Sequence, residues 1–94
     1  MTIKEAQELI EAWNEKHAVR NSELTGIALL TEKVGELARA VAVKQSEPIR
    51  HINGIPLSEE VAAIFWQLIS FSSQAGIDLT SALIDDLERK NRTK

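Results

Sequence analysis

Two pairs of glutamates are the residues whose type and spacing best suit chemistry in this sequence. Glu32 and Glu36 are four residues apart, and Glu59 and Glu60 are adjacent. Residues four apart lie on one face of a helix, and antiparallel packing of two such helices would bring these carboxylates together. Carboxylate oxygens are the ligands that Mg²⁺ prefers, often shared with substrate phosphates. Glutamates at this spacing are also common on solvated helix faces, so the spacing alone leaves both interpretations open.

Four helices are predicted to position these residues. A capping box of Thr2 and Glu5 begins the first helix, which continues to about His17. The second helix is predicted over residues 23–44 with a broad apolar face, and a glycine inside it, Gly35, favours close approach of another helix. Residues 45–57 read as a loop, with a β-hairpin possible around the Asn53-Gly54 pair.

The last two helices follow that loop. Ser58 is the expected cap of the third helix, which ends near residue 75 with Gly76 as its stop signal, and Asp78 is the expected cap of the fourth. The third helix is apolar nearly all round, which predicts burial on most sides. The apolar spacing predicts inward faces on the first helix at Ile3, Ala6, Ile10, Trp13 and His17, and on the fourth at Leu79, Ala82, Leu83 and Leu87.

Length and composition narrow the possible classes of protein. The chain has 94 residues, the size of one domain, and a net charge of -3, which argues against a nucleic-acid polymer as partner. The absence of cysteine excludes disulfide scaffolds, thiolate zinc sites and cysteine nucleophiles. No segment resembles a signal peptide or a membrane span. We therefore expect one all-α domain, residues 1–94, located in the cytoplasm and not in a membrane.

Several segments, taken together and in order, resemble the MazG-like nucleotide pyrophosphohydrolases of the all-α NTP pyrophosphatase superfamily. They are LTEKVGELA at residues 30–38, SEEVAAIFWQL at 58–68, GIDL at 76–79 and KN at 90–91. The resemblance covers about residues 24–94 and is specific as a set. It implies a four-helix bundle completed by oligomerisation, as a homodimer or homotetramer. It also implies Mg²⁺-dependent cleavage of NTPs or dNTPs to the monophosphate and pyrophosphate.

The resemblance further implies a metal site made from an E-E-x-x-E motif on one helix and an E-E-x-x-D motif on the next. The main ligand positions carry over to Lys33, Glu36, Glu60 and Ala63, so only Glu36 and Glu60 retain acids there. Glu32 and Glu59 match the flanking acids of the two motifs, which makes Glu32, Glu36, Glu59 and Glu60 the candidate metal ligands. Glu36 and Glu60 are the candidate catalytic residues.

Three residues are candidates for substrate binding. The resemblance implies that Lys90 meets phosphates, and Lys94 replaces a second family cation. Trp13 is an aromatic residue that can lean over a nucleotide base. Each has an ordinary alternative, because aromatic residues commonly form cores or subunit interfaces and a basic tail commonly is a solvated helix end.

Two interpretations of function therefore remain open. The first is a MazG-like pyrophosphohydrolase, active despite the changes at Lys33 and Ala63. The second is a catalytically inactive relative that binds nucleotides or acts as a helical oligomerisation and interaction module, with Lys33 substituting for metal charge.

Overall fold

A computed structural model describes residues 1–43, 50–52 and 54–93 of the chain. In these residues it contains four helices and one two-stranded sheet, so the all-α prediction is confirmed. The helices are α1 (Ile3–Lys16), α2 (Glu23–Val43), α3 (Leu57–Gln74) and α4 (Leu79–Arg92), and the strands are β1 (His51–Ile52) and β2 (Ile55–Pro56). Among the described residues, none of the four helices has the length and hydropathy of a membrane span.

Local hydrogen bonds explain where the helices begin and end. The Thr2 hydroxyl accepts the Glu5 N–H at 3.0 Å, and Glu5 Oε1 accepts the Thr2 N–H at 3.1 Å, which confirms the capping box. Asp78 caps α4 by accepting the N–H groups of Thr80 and Ser81. These caps depend only on neighbouring residues, which is why the sequence predicts them correctly.

The C-terminal end of α3 is a Schellman motif. The N–H of Ile77 donates to the carbonyl of Ser72 at 2.8 Å, and the N–H of Gly76 donates to that of Ser73 at 3.2 Å. Gly76 has a φ of 73°, a conformation that costs glycine little because it has no Cβ. The predicted stop signal at Gly76 is therefore confirmed.

A short hairpin leads directly into α3. His51 pairs with Pro56 and Ile52 with Ile55 in antiparallel register, and Gly54 in the turn has a φ of 81°. This confirms the possible hairpin, although Asn53 and the predicted loop residues 45–49 lie outside the described residues. The helix begins at Leu57, whose N–H donates to the Arg50 carbonyl at 2.7 Å. Ser58 is thus inside the first turn and does not precede the helix as predicted.

The chain divides into two compact units, which are described separately. One consists of Met1–Arg20 with Ile69–Lys94, and the other of Asn21–Leu68. In the first unit, the Gln7 side chain binds the turn between α3 and α4. Its Nε2 donates to the Ile77 carbonyl at 3.1 Å, and its Oε1 accepts the Leu79 N–H at 3.0 Å.

A second amide on α1, seven residues after Gln7, makes a similar contact. Asn14 Nδ2 donates to the Ser70 hydroxyl at 3.0 Å. Ile10, between Gln7 and Asn14 on the same helix face, is buried as predicted. Trp13, however, is 45% exposed. The inward face of α1 therefore contains Gln7, Ile10 and Asn14. The two amides can lie there because each has a hydrogen-bond partner, backbone for Gln7 and a hydroxyl for Asn14.

Several positions predicted to face inward are exposed in the described chain, His17 and Ala82 among them as well as Trp13. Leu83 and Leu87 were expected to face inward, but they are 55% and 58% exposed. Along α4, Leu79 and Thr80 in the first turn are half-buried, and the Leu79 N–H donates to Gln7. Within a single chain only Ile69 and Ser72 of α3 are buried, so the predicted burial of this helix on most sides would require a neighbouring chain. One small chain supplies too few neighbours to cover these faces.

The Gln7 contact predicts a measurable loss of stability on truncation. Gln7→Ala removes both hydrogen bonds, so we expect the free energy of unfolding to fall by about 1–3 kcal/mol, measured by urea denaturation. Gln74→Ala, at an exposed position on α3, is the control and should change it by less than about 0.5 kcal/mol. Equal effects of the two substitutions would show that the amide does not hold α1 in place.

The Asp78 cap predicts a dependence on pH. Hydrogen bonds from the Ser81 hydroxyl and backbone, then from the Thr80 N–H, lower the pKa of Asp78 below its usual value, and Lys4 adds a smaller effect. A lowered pKa in the folded state means that the cap stabilises the fold above the unfolded pKa, and that this stabilisation is lost as pH falls through the folded pKa.

Parent and Asp78→Asn should therefore differ in urea midpoint at about pH 6 and converge at about pH 2. In an NMR titration, Ser81→Ala should raise the pKa of Asp78 towards its ordinary value. An unchanged titration of Asp78 in this variant would refute the assigned cause.

Candidate functional site

The carboxylates of α2 lie on its exposed side. Glu32 and Glu36 are both exposed. Lys33 is half-buried and belongs to a different stripe of the helix, made of Gly26, Leu30, Lys33, Leu37 and Ala40, whose members are buried or half-buried. A lysine in such a stripe packs its methylene stem and extends its ammonium outward. Lys33 therefore lies between the half-buried stripe and the exposed side of α2 that carries Glu36.

The carboxylates of α3 lie in its first turn. Glu59 is exposed, whereas Glu60 and Ala63 are half-buried. Acidic side chains at a helix N-terminus are stabilised by the unpaired N–H groups and the helix dipole. Glu59 and Glu60 therefore have a structural reason to be present besides any role in binding.

Within one chain these carboxylates do not form a metal site. All four glutamates belong to the compact unit Asn21–Leu68. In the described residues, however, no three Asp, Glu or His side chains are close enough together to hold a metal ion. Mg²⁺ requires several oxygen ligands in octahedral geometry. The donor set of a single chain therefore does not fit Mg²⁺, and a metal site at Glu32, Glu36, Glu59 and Glu60 stays a prediction.

The candidate base-binding aromatic contacts a histidine one turn later, at the end of the same helix. The rings of Trp13 and His17 have centroids 4.1 Å apart with an interplanar angle of 36°. His17 is also the C-cap residue of α1, so its predicted place at a helix end is confirmed. Because Trp13 is 45% exposed, part of the indole surface remains accessible to another planar group.

The candidate phosphate-binding lysine is paired with a carboxylate of α4. Lys90 Nζ is 2.9 Å from Asp86 Oδ2, and Arg89 Nη2 is 3.2 Å from Asp86 Oδ1. The Lys90 hydrogen bond, followed by that of Arg89, lowers the pKa of Asp86. Lys90 is 75% exposed, so solvent screens the pair and a phosphate can compete for the ammonium. Lys94 lies outside the described residues.

The residues that position α1 were not identified from the sequence. Gln7 and Asn14 are seven residues apart, with Ile3 and Ile10 at the alternating positions between and before them. This spacing of three and four residues places all of them on one helix face. The sequence indicates the apolar members of this stripe, but not the polar ones, because amide side chains are more often exposed than buried.

The fold is that of an all-α helical protein whose candidate carboxylates lie on α2 and in the first turn of α3. No family model, curated protein or solved structure matches this chain.

Restoring the two missing acids tests the assigned site. Lys33→Glu with Ala63→Asp places four carboxylates on the two helix faces, since residues 33 and 36 share a face, as do 60 and 63. Without metal these acids should repel and lower the melting temperature. With Mg²⁺ at about ten times the dissociation constant, the melting temperature should rise by about 5–10 °C, a rise that the parent lacks.

A control variant makes the same change in charge outside the helices, where no metal site is expected. Arg20→Glu with Ala18→Asp alters two exposed positions just after the end of α1 and should show no Mg²⁺-dependent rise. If the repaired variant also melts identically with and without Mg²⁺, the two helix faces do not converge and the assigned site is wrong.

Proposed function

We propose that this chain is a MazG-like nucleotide pyrophosphohydrolase domain that acts on NTPs or dNTPs as a homodimer or homotetramer in the cytoplasm. The single observation that carries the proposal is the ordered set of four family-like segments in residues 30–38, 58–68, 76–79 and 90–91. Their placement supports it, because the two acidic segments lie in α2 and at the start of α3. The third forms the turn before α4, and the fourth lies in the last turn of α4.

In this proposal Glu36 and Glu60 orient the attacking water and accept its proton, because carboxylates can act as general bases. Attack on the α-phosphorus breaks its bond to the bridging oxygen, and pyrophosphate leaves. Lys90 and Trp13 remain the candidates for contacts to the phosphates and to the base, respectively. The donor set of one chain does not fit Mg²⁺, so no step is assigned to the ion.

Exposed apolar side chains support the proposed self-association. On α3, Val61 and Phe65 are 50% and 46% exposed, and on α2 Val34 and Val41 are 45% and 53% exposed. Exposed apolar surface of this extent commonly marks a protein interface. In this proposal α3, which is apolar nearly all round, is central to a core shared between the subunits.

A second candidate function is a catalytically inactive relative that binds nucleotides or serves as an oligomerisation module. The observation that favours it is the pair of changes at Lys33 and Ala63. Ala63 offers no oxygen ligand, and Lys33 brings a positive charge to the border of the Glu36 face. A fixed ammonium can neutralise a phosphate without a metal ion.

Incubation with a panel of NTPs and dNTPs plus Mg²⁺ or Mn²⁺, with products separated by chromatography, distinguishes the two functions. The first predicts release of monophosphate and pyrophosphate from at least one nucleotide, with a loss of about 100-fold or more in Glu36→Gln. The control Glu8→Gln, at an exposed position on α1, should keep full activity. Nucleotide binding without any product would support the second function and contradict the first.

A further inference from the structure

Helix α2 carries a second apolar stripe that is exposed along its whole length. Its members follow one another at intervals of three, four, three, four and three residues, and we call them the α2 seam: Leu24, Ile27, Thr31, Val34, Ala38 and Val41. Every member is exposed, with Leu24 at 78% and Val41 at 53%. Alternation of three and four residues is the pattern by which one helix packs against another in a coiled coil.

The only polar member of the seam is already satisfied inside the helix. The Thr31 hydroxyl donates to the Ile27 carbonyl at 2.8 Å. Its one hydrogen is therefore used, and its methyl group remains available for packing. Covering the seam with a partner would leave no unpaired hydroxyl donor at this position.

Small residues line one side of the seam at seven-residue intervals. They are Ala28, Gly35 and Ala42. A Cβ added at Gly35 would meet nothing within 4 Å among the described residues, so the close approach that glycine permits is not used inside the chain. Glycine in the middle of a helix lowers helix propensity. A helix from another chain could pack closely against α2 at these small residues.

The charges beside these small residues identify the partner. Glu32 and Arg39 lie next to them on the same side of α2, and in the described part of the chain neither forms an ion pair. They are seven residues apart, about 10 Å along the helix axis, which is too far for a direct pair. A second α2 running in the opposite direction, with Gly35 on the twofold axis, brings the partner's Arg39 within about 1.5 Å of the level of Glu32.

The same arrangement suits the rest of the face. Ala28 then lies opposite the partner's Ala42, and the pair of Glu32 with the partner's Arg39 forms twice in the dimer by symmetry. An interface of this kind is self-complementary, as a twofold dimer requires.

We propose that the α2 seam is the binding surface for a second copy of this chain, in an antiparallel helix pair centred on Gly35. The proposal deepens the homo-oligomer of the proposed function and rests on that self-association, but it does not depend on nucleotide hydrolysis. It assigns Glu32 to an ion pair across the interface.

Cysteine cross-linking tests the direction of the pair, because the chain has no cysteine of its own. Ala28→Cys mixed with Ala42→Cys should form a disulfide-linked dimer under mild oxidation. Ala28→Cys alone should not, since two copies of residue 28 would be about 21 Å apart. Leu29→Cys mixed with Val43→Cys, on the opposite side of the helix, is the matched control and should not cross-link. A cross-link from Ala28→Cys alone would indicate a parallel pair and overturn the proposal.

Sedimentation equilibrium tests the close approach and the charges. Gly35→Leu should keep the helix folded, because the space around this position is open and leucine favours helix. It should nevertheless raise the dimer dissociation constant by about tenfold or more, because the side chain separates the two backbones. Circular dichroism on the same samples confirms that the helices remain.

Charge reversal supplies the second measurement. Glu32→Arg or Arg39→Glu alone should each raise the dissociation constant by about threefold to tenfold, and the double reversal should restore it to within about threefold of the parent. A parent that is monomeric at about 100 μM, a concentration at which even weak dimers are populated, would overturn the proposal. The proposal would also be overturned if the double reversal had a dissociation constant no lower than those of the single reversals.

These experiments contain no nucleotide, so their failure can be separated from failure of the proposed function. Cross-linking and charge rescue without product release in the nucleotide panel would remove the enzyme activity and leave the helix pair intact. Product release from a chain that does not cross-link would support the enzyme activity and contradict the helix pair.

Discussion

Each of the four helices has an apolar face, and a short chain has few side chains with which to cover four such faces. In the described residues the large apolar side chains that are buried are Ile10, Ile52 and Ile69, and the first of these lies on α1 between its two amide contacts. The hydrophobic effect rewards removal of the remaining apolar surface from water in proportion to its area. Incomplete burial within one chain is therefore the constraint from which the arguments for self-association follow.

Because few apolar side chains of α1 are buried, specific hydrogen bonds position this helix. Gln7 holds the turn between α3 and α4 through its donor and its acceptor at the same time, and Asn14 adds a contact to Ser70. Such bonds add modest net stability, but a buried amide left unpaired is costly. They therefore favour one placement of α1 over alternatives that leave these groups without partners.

The features that the sequence predicts well are those decided by neighbours along the chain. The capping box at Thr2, the Asp78 cap and the Gly76 stop signal involve residues two to five positions apart, and the structure confirms all three. The exposure of Trp13 and Leu87 was not predicted, because periodicity indicates which side of a helix is apolar but not whether anything covers it.

The same distinction applies to the candidate site. Helical spacing correctly places Glu32 and Glu36 on one exposed side of α2, and the acids of α3 in its first turn. Spacing within a helix carries no information about which helices meet, so it cannot establish that the two sets converge. Lys33 is an example. It is half-buried in the structure, and helical spacing alone does not predict this because burial depends on the residues packed around the helix.

The contacts of Gln7 also have a consequence for the order in which the chain folds. Gln7 and its partners are 70 and 72 residues apart in the sequence, so α1 is made long before the turn that holds it. Contacts between such distant residues require closure of a long loop and slow folding relative to local ones. During synthesis from the N-terminus, α1 emerges with its amides unpaired, and residues 21–68 can form their local structure first. The unit that contains both α1 and α4 is therefore completed last.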